Sequence, residues 1–462
     1  MSELLTSTNP ADGYSAIGSV HVTSSIEITK KIRYAHDAFS SWRQLGVRAR
    51  IPFVKKLLEA YTSHANEIAQ IITQEIGTPI QECTEEIQWD WGYANWFVDH
   101  AEEALCPTVT GKTSISLHTA YYEPIGVAAV ITPWNLPFDM FIWGVIPTLL
   151  AGNTVVYKAA EECILTGQLL ETIAHEAGLP KGVLSFIHGG ADVGSVLVEG
   201  DINLIWFTGS TAVGQSLYNV AARKGIKAVL ELGGSNPAIV FDDADVDSAV
   251  SSISSKRFMF SGQTCDADKR LLVHASIFDD VVDKLKKRIS AMIVGNPTDP
   301  KTAIGPLVSK KQLELLSDQV EDARKFGATV FQLPLDKKLV GAYFSPALLT
   351  GVTPAMRVWK EEVFGPVLPV VPFATEEEAV RLANETEFGL GAQVFTRDIQ
   401  KAERVAQQIQ AGTIDINGVG HFHPFNPFGG YKKSGIGREH GIEGFRELSQ
   451  IKVISSPILA KT

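Results

Sequence analysis

The chain has 462 residues, too many for one hydrophobic core, so at least two domains are expected. Hydrophobic content of 45% and charged content of 20% are those of a folded, water-soluble protein. A formal net charge of -11 argues against nucleic acid or an anionic membrane as the main partner. Its four cysteines, Cys83, Cys106, Cys163 and Cys265, form neither a disulfide framework nor a Cys-x-x-Cys metal motif, which points to a reducing, cytoplasmic setting.

In chain order, Asn9-Pro10-Ala11-Asp12-Gly13 is a turn cluster, and no basic apolar signal segment is seen in Met1–Ala16. From Ser25 to Ile76 apolar residues recur at helical spacing, as in Val54, Leu57, Leu58 and Tyr61. Trp89, Trp91, Tyr93, Trp96 and Phe97 extend this helical region and are expected to pack between helices. Thr113–Tyr122 alternates with period two and reads as a strand or hairpin. The stretch from Pro124 to Val156 carries one charge, Asp139, and is long enough to span a bilayer. Its prolines and glycines divide it, so two buried strands around a buried helix are expected instead.

Further short apolar strands are expected at 183–187 and 204–207, alternating with helices, which is the pattern of a parallel sheet covered on both faces. After Gly233 the pattern restarts, with strands at 238–241 and 271–273 and helices at 246–257, 277–292 and 313–326, so a second α/β domain begins there. The tail segment Ile451–Ile454 is a short strand with no evident partner in either domain.

Several residues invite a chemical reading, each beside a plainer one. Cys265 follows Gly262-Gln263-Thr264, a turn able to present a thiol, although a lone cysteine is most often a small buried hydrophobe. Phe207-Thr208-Gly209-Ser210-Thr211-Ala212-Val213-Gly214 runs from a strand into a helix and can hold phosphate, or be an ordinary turn. Asn135 stands between Pro133 and Pro137 at the end of a buried strand, suited to an oxyanion donor or simply to a turn. Glu231, flanked by Leu230 and Leu232, suits a general base or a solvent-facing strand end.

Taken together, the chain resembles the aldehyde dehydrogenase superfamily over essentially its whole length. The resemblance is carried by Pro133-Trp134-Asn135, Lys158-Ala159-Ala160-Glu161, Phe207-Thr208-Gly209-Ser210, Glu231-Leu232-Gly233-Gly234 and Gly262-Gln263-Thr264-Cys265. Glu361-Glu362-Val363-Phe364-Gly365-Pro366 and Pro427-Phe428-Gly429-Gly430-Tyr431-Lys432 follow in the family's order. It implies an α/β fold with a Rossmann-like NAD-binding domain (1–105 and 125–232), an α/β catalytic domain (233–435) and a small β oligomerisation arm (106–124 and 436–462). A homodimer or homotetramer is then expected.

The resemblance also implies NAD(P)-dependent oxidation of an aldehyde to its acid. Cys265 would be the nucleophile, Asn135 and the Cys265 backbone N–H the oxyanion donors, and Glu231 the base that activates water for thioester hydrolysis. The presence of Glu231 disfavours acyl transfer to coenzyme A, and the presence of all three residues disfavours a non-catalytic structural member of the fold. Cofactor contacts would come from Trp134, Lys158, Glu161, Gly209, Ser210, Gly214, Leu232, Gly233, Glu362 and Phe364. A carboxylate at Glu161 favours the free ribose 2′-hydroxyl of NAD over NADP, with NADP still possible beside Lys158.

The aldehyde tunnel would be lined by Leu136, Met140, Trp143, Phe422 and Phe428. That lining favours a hydrophobic or aromatic aldehyde, whereas overall similarity leans toward succinate-semialdehyde dehydrogenases. Two departures stand out. Gly144 occupies a place where many members carry a basic proton-relay residue, although Glu439 is kept. Asp266 follows the nucleophile; its carboxylate either faces the pocket or turns toward Lys269 or Arg270. His421 and His423 read as exposed loop residues, and no metal site is expected.

Overall fold

The structure, a computed structural model, describes residues 3–458. The turn at Asn9–Gly13 joins β1 (Leu4–Asn9) and β2 (Ser15–His21) into a hairpin. Four helices follow: α1 (Ser25–Gln44), α2 (Gly46–Ser63), α3 (Ala65–Ile76) and α4 (Ile80–Leu105). Ser24 and Glu27 close a reciprocal capping box at the start of α1. Val54, Leu57, Leu58 and Tyr61 form the buried stripe of α2, as their spacing requires. The hairpin β3 (Thr108–Lys112) and β4 (Ser116–Pro124) then leads into the first parallel sheet.

That sheet is built from β5 (Val127–Ile131), α5 (Pro137–Leu150), β6 (Thr154–Lys158), α6 (Ile164–Glu176), β7 (Leu184–Ile187), α7 (Ala191–Glu199), β8 (Leu204–Thr208), α8 (Thr211–Lys224) and β9 (Lys227–Glu231). Every residue of β5, β6, β8 and α5 is buried, because helices cover both faces of the sheet. The suspicious apolar stretch is therefore strand, helix, strand. No helix among the described residues is long and apolar enough to cross a membrane.

After Leu232–Ser235 the chain enters a second sheet: β10 (Asn236–Val240), α9 (Val246–Phe258), β11 (Asp268–His274), α10 (Phe278–Ser290), α11 (Lys310–Lys325), β12 (Thr329–Gln332), β13 (Ala347–Thr350), α12 (Arg357–Lys360), β14 (Val367–Phe373), α13 (Glu376–Asn384), β15 (Gly391–Phe395), α14 (Ile399–Ala406) and β16 (Thr413–Ile416). Its order is β12-β13-β14-β11-β10-β15-β16, all parallel except the β12–β13 pair. The chain returns through β17 (Gly435–Ile436), which pairs antiparallel with β9 and completes the first sheet in the order β17-β9-β8-β5-β6-β7. Next come α15 (Gly441–Glu447) and β18 (Ser449–Pro457).

The tail strand that lacked a partner pairs with β4 in continuous antiparallel register from Ser449↔Pro124 to Pro457↔Ser116. Sheet β18-β4-β3 leaves Val109, Ile451 and Val453 exposed, so its apolar side chains are not covered within this chain.

Candidate active site

The first sheet places the functional residues by its topology. Beginning at β5, the chain adds β6 and β7 on one side, then crosses back to lay β8 and β9 on the other. Connections from β5 and β8 diverge at the carboxyl edge of the sheet, where doubly wound folds open a crevice. Four motifs read from the sequence leave that one edge: Trp134-Asn135 after β5, Lys158 at the end of β6, Gly209-Ser210 after β8, and Glu231 at the end of β9.

Cys265 arrives from the second sheet, between α9 and β11, through an unusual backbone. Phe260, Ser261 and Gly262 all have positive φ, at 52°, 55° and 71°. Left-handed residues in succession are costly away from glycine, and such strain collects at functional segments. A Cβ on Gly262 would fall 2.6 Å from the Gly365 carbonyl carbon and oxygen. The segment is pinned where the backbone N–H of Phe260 donates to Glu82 at 2.8 Å, and Arg257 donates to Val367 O at 2.8 Å.

A cleft of 390 Å³ opens between the two sheets. It brings together Cys265, Asn135 and Glu231 with Trp134, Leu136, Met140, Gly209, Ser210, Gly233, Glu362 and Phe364. Lys158 and Glu161 lie outside this cleft wall, further along the strand ends, and pair at 3.8 Å. Gly214 and Leu232 do not line it either. They pack together, with room for no Cβ at Gly214, since it would stand 2.2 Å from a Leu232 methyl.

The cleft fits a nicotinamide dinucleotide. Ser210 lines the cleft and caps α8, which brings the helix's N-terminus to the cleft wall, and the Thr211 hydroxyl is buried without a partner. A Cβ on Gly233 would meet Glu362 Oε2 at 2.3 Å, so glycine there lets Glu362 approach the backbone and receive the Gly234 N–H at 3.2 Å. Lys269, fully buried, pairs with Glu362 and donates to the carbonyls of Gly234 at 3.0 Å and Cys265 at 2.8 Å. One cation thus ties the Cys265 backbone to the Glu362 carboxylate across the cleft.

Burial, then the nearby Glu231 and Asp266 carboxyls, push the Cys265 thiol well above its ordinary range, against the pull of Lys269. Glu231 is buried, not solvent-facing, and its pKa is raised by burial first and then by Glu439, Asp266 and Glu362. Glu439 is pushed up to about 8, chiefly by burial, while Thr208 donates to it at 3.4 Å. Asn135 is buried, and its side-chain amide forms no hydrogen bond to another described residue, which leaves it free for a ligand oxygen. The upward shifts of the thiol and the carboxyl, beside an open amide, favour the neutral forms of Cys265 and Glu231 in the unliganded cleft.

On the other side of Leu136 and the Thr264–Asp266 segment lies a second cavity, of 480 Å³. Leu136, Trp143 and Phe422 line it as expected, but Met140 belongs to the first cleft only. Phe428 is buried behind the wall, 5.4 Å from the Phe422 ring and 6.4 Å from Trp143. Trp89 corrects an expectation: it is 40% exposed and forms part of this wall, with its ring 6.0 Å from Trp143 and 5.9 Å from Phe422. Asp266 turns to the cavity and to Lys256 at 3.7 Å, not to Lys269 or Arg270. Arg270 instead donates to the carbonyls of Ser235, Leu382 and Ala383.

His421 is buried, contrary to expectation, with Nδ1 3.0 Å from Asp415; His423 is exposed. Sequence reasoning also missed the acidic lining of the cavity, although Glu82 and Glu86, which line it, and Asp90 behind them stand four residues apart on one face of α4. That spacing was the available signal.

The model of the "Aldehyde dehydrogenase family" matches residues 2–454. Succinate-semialdehyde dehydrogenase, mitochondrial, from Oryza sativa subsp. japonica is 34% identical over 96% of this chain and 85% of its own. Glutarate-semialdehyde dehydrogenase from Pseudomonas aeruginosa is 36% identical over 96% and 92%. The crystal structure of an aldehyde dehydrogenase from Brucella melitensis biovar abortus 2308 superposes with a TM-score of 0.94 at 35% identity, covering 99% of this chain and 95% of that one. The chain belongs to the aldehyde dehydrogenase family, and is an oxidoreductase that acts on the aldehyde group with NAD(P).

Proposed function

We propose that the chain oxidises an apolar or aromatic aldehyde to the free carboxylic acid with Cys265 as nucleophile, Asn135 as oxyanion donor and Glu231 as base. The observation that carries this reading is the meeting of these three residues, from three distant sequence positions, in one cleft. As a thiolate, Cys265 adds to the aldehyde carbon, and the Asn135 amide and the Cys265 backbone N–H hold the oxygen that becomes negative. A nicotinamide cofactor, when bound, supplies the hydride acceptor that takes this adduct to the thioester level. Glu231 then takes a proton from water as it attacks the thioester, and the acid leaves with the Cys265 thiol restored. Glu231 is the reason to favour water over coenzyme A as acyl acceptor.

Trp134, Gly209, Ser210, Gly233, Glu362 and Phe364 are assigned to the cofactor's pyrophosphate and nicotinamide end, and Lys158 with Glu161 to the adenosine ribose. Glu161 is half-exposed beside Lys158 and opposes a 2′-phosphate, so NAD is the preferred cofactor. The first sheet would then be the cofactor-binding domain and the second the catalytic one. The exposed apolar side chains of β18 and β3, Ile451, Val453 and Val109, support an oligomerisation arm. Two of the relatives named above are a succinate-semialdehyde and a glutarate-semialdehyde dehydrogenase, whose named substrates end in a carboxylate. Here the sole lysine of the second cavity, Lys256, already faces Asp266 and Asp415, which disfavours an acidic substrate.

Reduced-cofactor production with NAD and NADP, across aromatic, aliphatic and acidic aldehydes, tests these assignments. Cys265→Ala should abolish turnover while NAD binding survives. Undiminished turnover in that variant would sink the mechanism.

A further inference from the structure

Glu86 and Asp90, one turn apart on α4, meet Asp139 from the first turn of α5, with their carboxylate atoms within 4.8 Å of one another. They are 5%, 0% and 2% exposed. Both oxygens of Glu86 and of Asp90, and one of Asp139, have no partner in hydrogen-bonding geometry. The Asp90 and Asp139 carboxyls meet side chain to side chain, close enough to share a proton, and the Asp139 backbone N–H and the Trp143 indole N–H point toward Glu86 and Asp90 without closing full hydrogen bonds. Unpaired buried carboxyls are expensive, by several kcal/mol each when charged. Burial, and then mutual repulsion, holds Glu86 and Asp90 well above the usual carboxylate range, and burial holds Asp139 at about 7. The three carboxyls are thus buried together with no basic side chain paired to them among the described residues.

Glu86 and Asp139 form part of the wall of the second cavity, beside Trp89, Trp143 and Phe422. The cavity reaches Thr264 and Asp266, the neighbours of Cys265. Lys256, the cation on its wall, lies 3.7 Å from Asp266 and 3.4 Å from Asp415, so its charge is already matched. Carboxyls without a counter-ion, set among electron-rich ring faces, are the chemistry that binds an ammonium group.

We propose that the second cavity is a cation subsite, and that the aldehyde oxidised at Cys265 carries an ammonium group at its far end. The apolar walls take the carbon chain, Trp89, Trp143 and Phe422 surround the cation, and Glu86 and Asp139 neutralise it, with Asp90 behind them. This rests on Cys265 being the nucleophile, and it revises the apolar aldehyde of the proposed function to one whose apolar chain ends in an ammonium group.

The test uses the full-length enzyme and three aldehydes of similar length: 4-(trimethylammonio)butanal, its uncharged isostere 5,5-dimethylhexanal, and succinic semialdehyde. The ammonium compound should exceed its isostere in kcat/KM by about tenfold or more, the size of a desolvated cation contact. Glu86→Gln and Asp139→Asn should each collapse that ratio toward one, with thermal unfolding used to confirm that both variants fold. Equal kcat/KM for the first two aldehydes, or a ratio unmoved by both substitutions, would overturn the proposal. So would a stoichiometric metal ion in the purified enzyme that is lost in Glu86→Gln.

If none of the three aldehydes is oxidised, the catalytic reading itself fails. The subsite is then decided separately in Cys265→Ala, by quenching of tryptophan fluorescence. Choline should quench and 3,3-dimethyl-1-butanol should not; equal behaviour of the two overturns the subsite.

Discussion

Gly144 lies flat against Trp206: a Cβ on it would stand 2.8 Å from two carbons of the indole and 2.8 Å from Val130 Cγ1. At this position α5 sits closer to the sheet than any side chain permits, so the basic relay residue suggested by resemblance has no room here. Gly144→Ala should destabilise the protein by about 1–3 kcal/mol through overpacking, measured by urea unfolding, and Gly144→Lys should fold less well still without raising turnover.

With no base at 144, proton traffic falls to the buried carboxyls. Glu231 is raised and Glu439 is pushed up to about 8, both chiefly by burial. Since the base must be unprotonated to accept a proton, the upward shift of Glu231 means that kcat should still rise with pH above the ordinary carboxylate range. Glu231→Gln should lower kcat by about 10²- to 10⁴-fold. A profile already flat above pH 6 would count against Glu231 as base.

The same shifts act on stability, with a definite sign. Glu82 is raised by burial from 4.5 to about 8, and Asp268 by burial from 3.8 to about 7. Between its unfolded and native values each binds a proton in the native state that the unfolded chain releases. Their stabilisation is complete below about pH 4 and is lost as pH climbs toward 7–8. Denaturant unfolding at a series of pH values should show Glu82→Gln to be less sensitive to pH than the parent over this window.

Gly262 carries the strained approach to the nucleophile. With φ at +71° and the Gly365 backbone 2.6 Å from its would-be Cβ, alanine cannot be accommodated without moving one of the two segments. Gly262→Ala should cost about 1–3 kcal/mol and slow alkylation of Cys265 relative to the parent, read by mass spectrometry.

Asn135 offers its amide to the cleft and to no other described residue. Asn135→Ala should lower kcat by about 10²- to 10³-fold, the usual size of losing one oxyanion donor. Binding of NAD, followed by fluorescence, should be nearly unchanged.

Much of this site was legible in the sequence because each motif is local. Pro133 and Pro137 around Asn135, Gly209-Ser210 before α8, and Gly262 before Cys265 are backbone instructions that a few neighbours suffice to write. Trp89 and His421 were not legible. A tryptophan at helical spacing looks the same whether it faces a neighbouring helix or a cavity, and a loop histidine shows no burial until Asp415 is placed beside it.

By itself the sequence determined the alternation of strand and helix and the two parallel sheets, because those depend on periodicity, and its short motifs singled out Cys265 as the candidate nucleophile. The tertiary structure alone decided which face of α4 looks at which face of α5. That contact gathers Glu86, Asp90 and Asp139 from positions up to 53 residues apart and buries them without a counter-ion. Charge can be counted along a chain, but whether it is compensated depends on what folds against it.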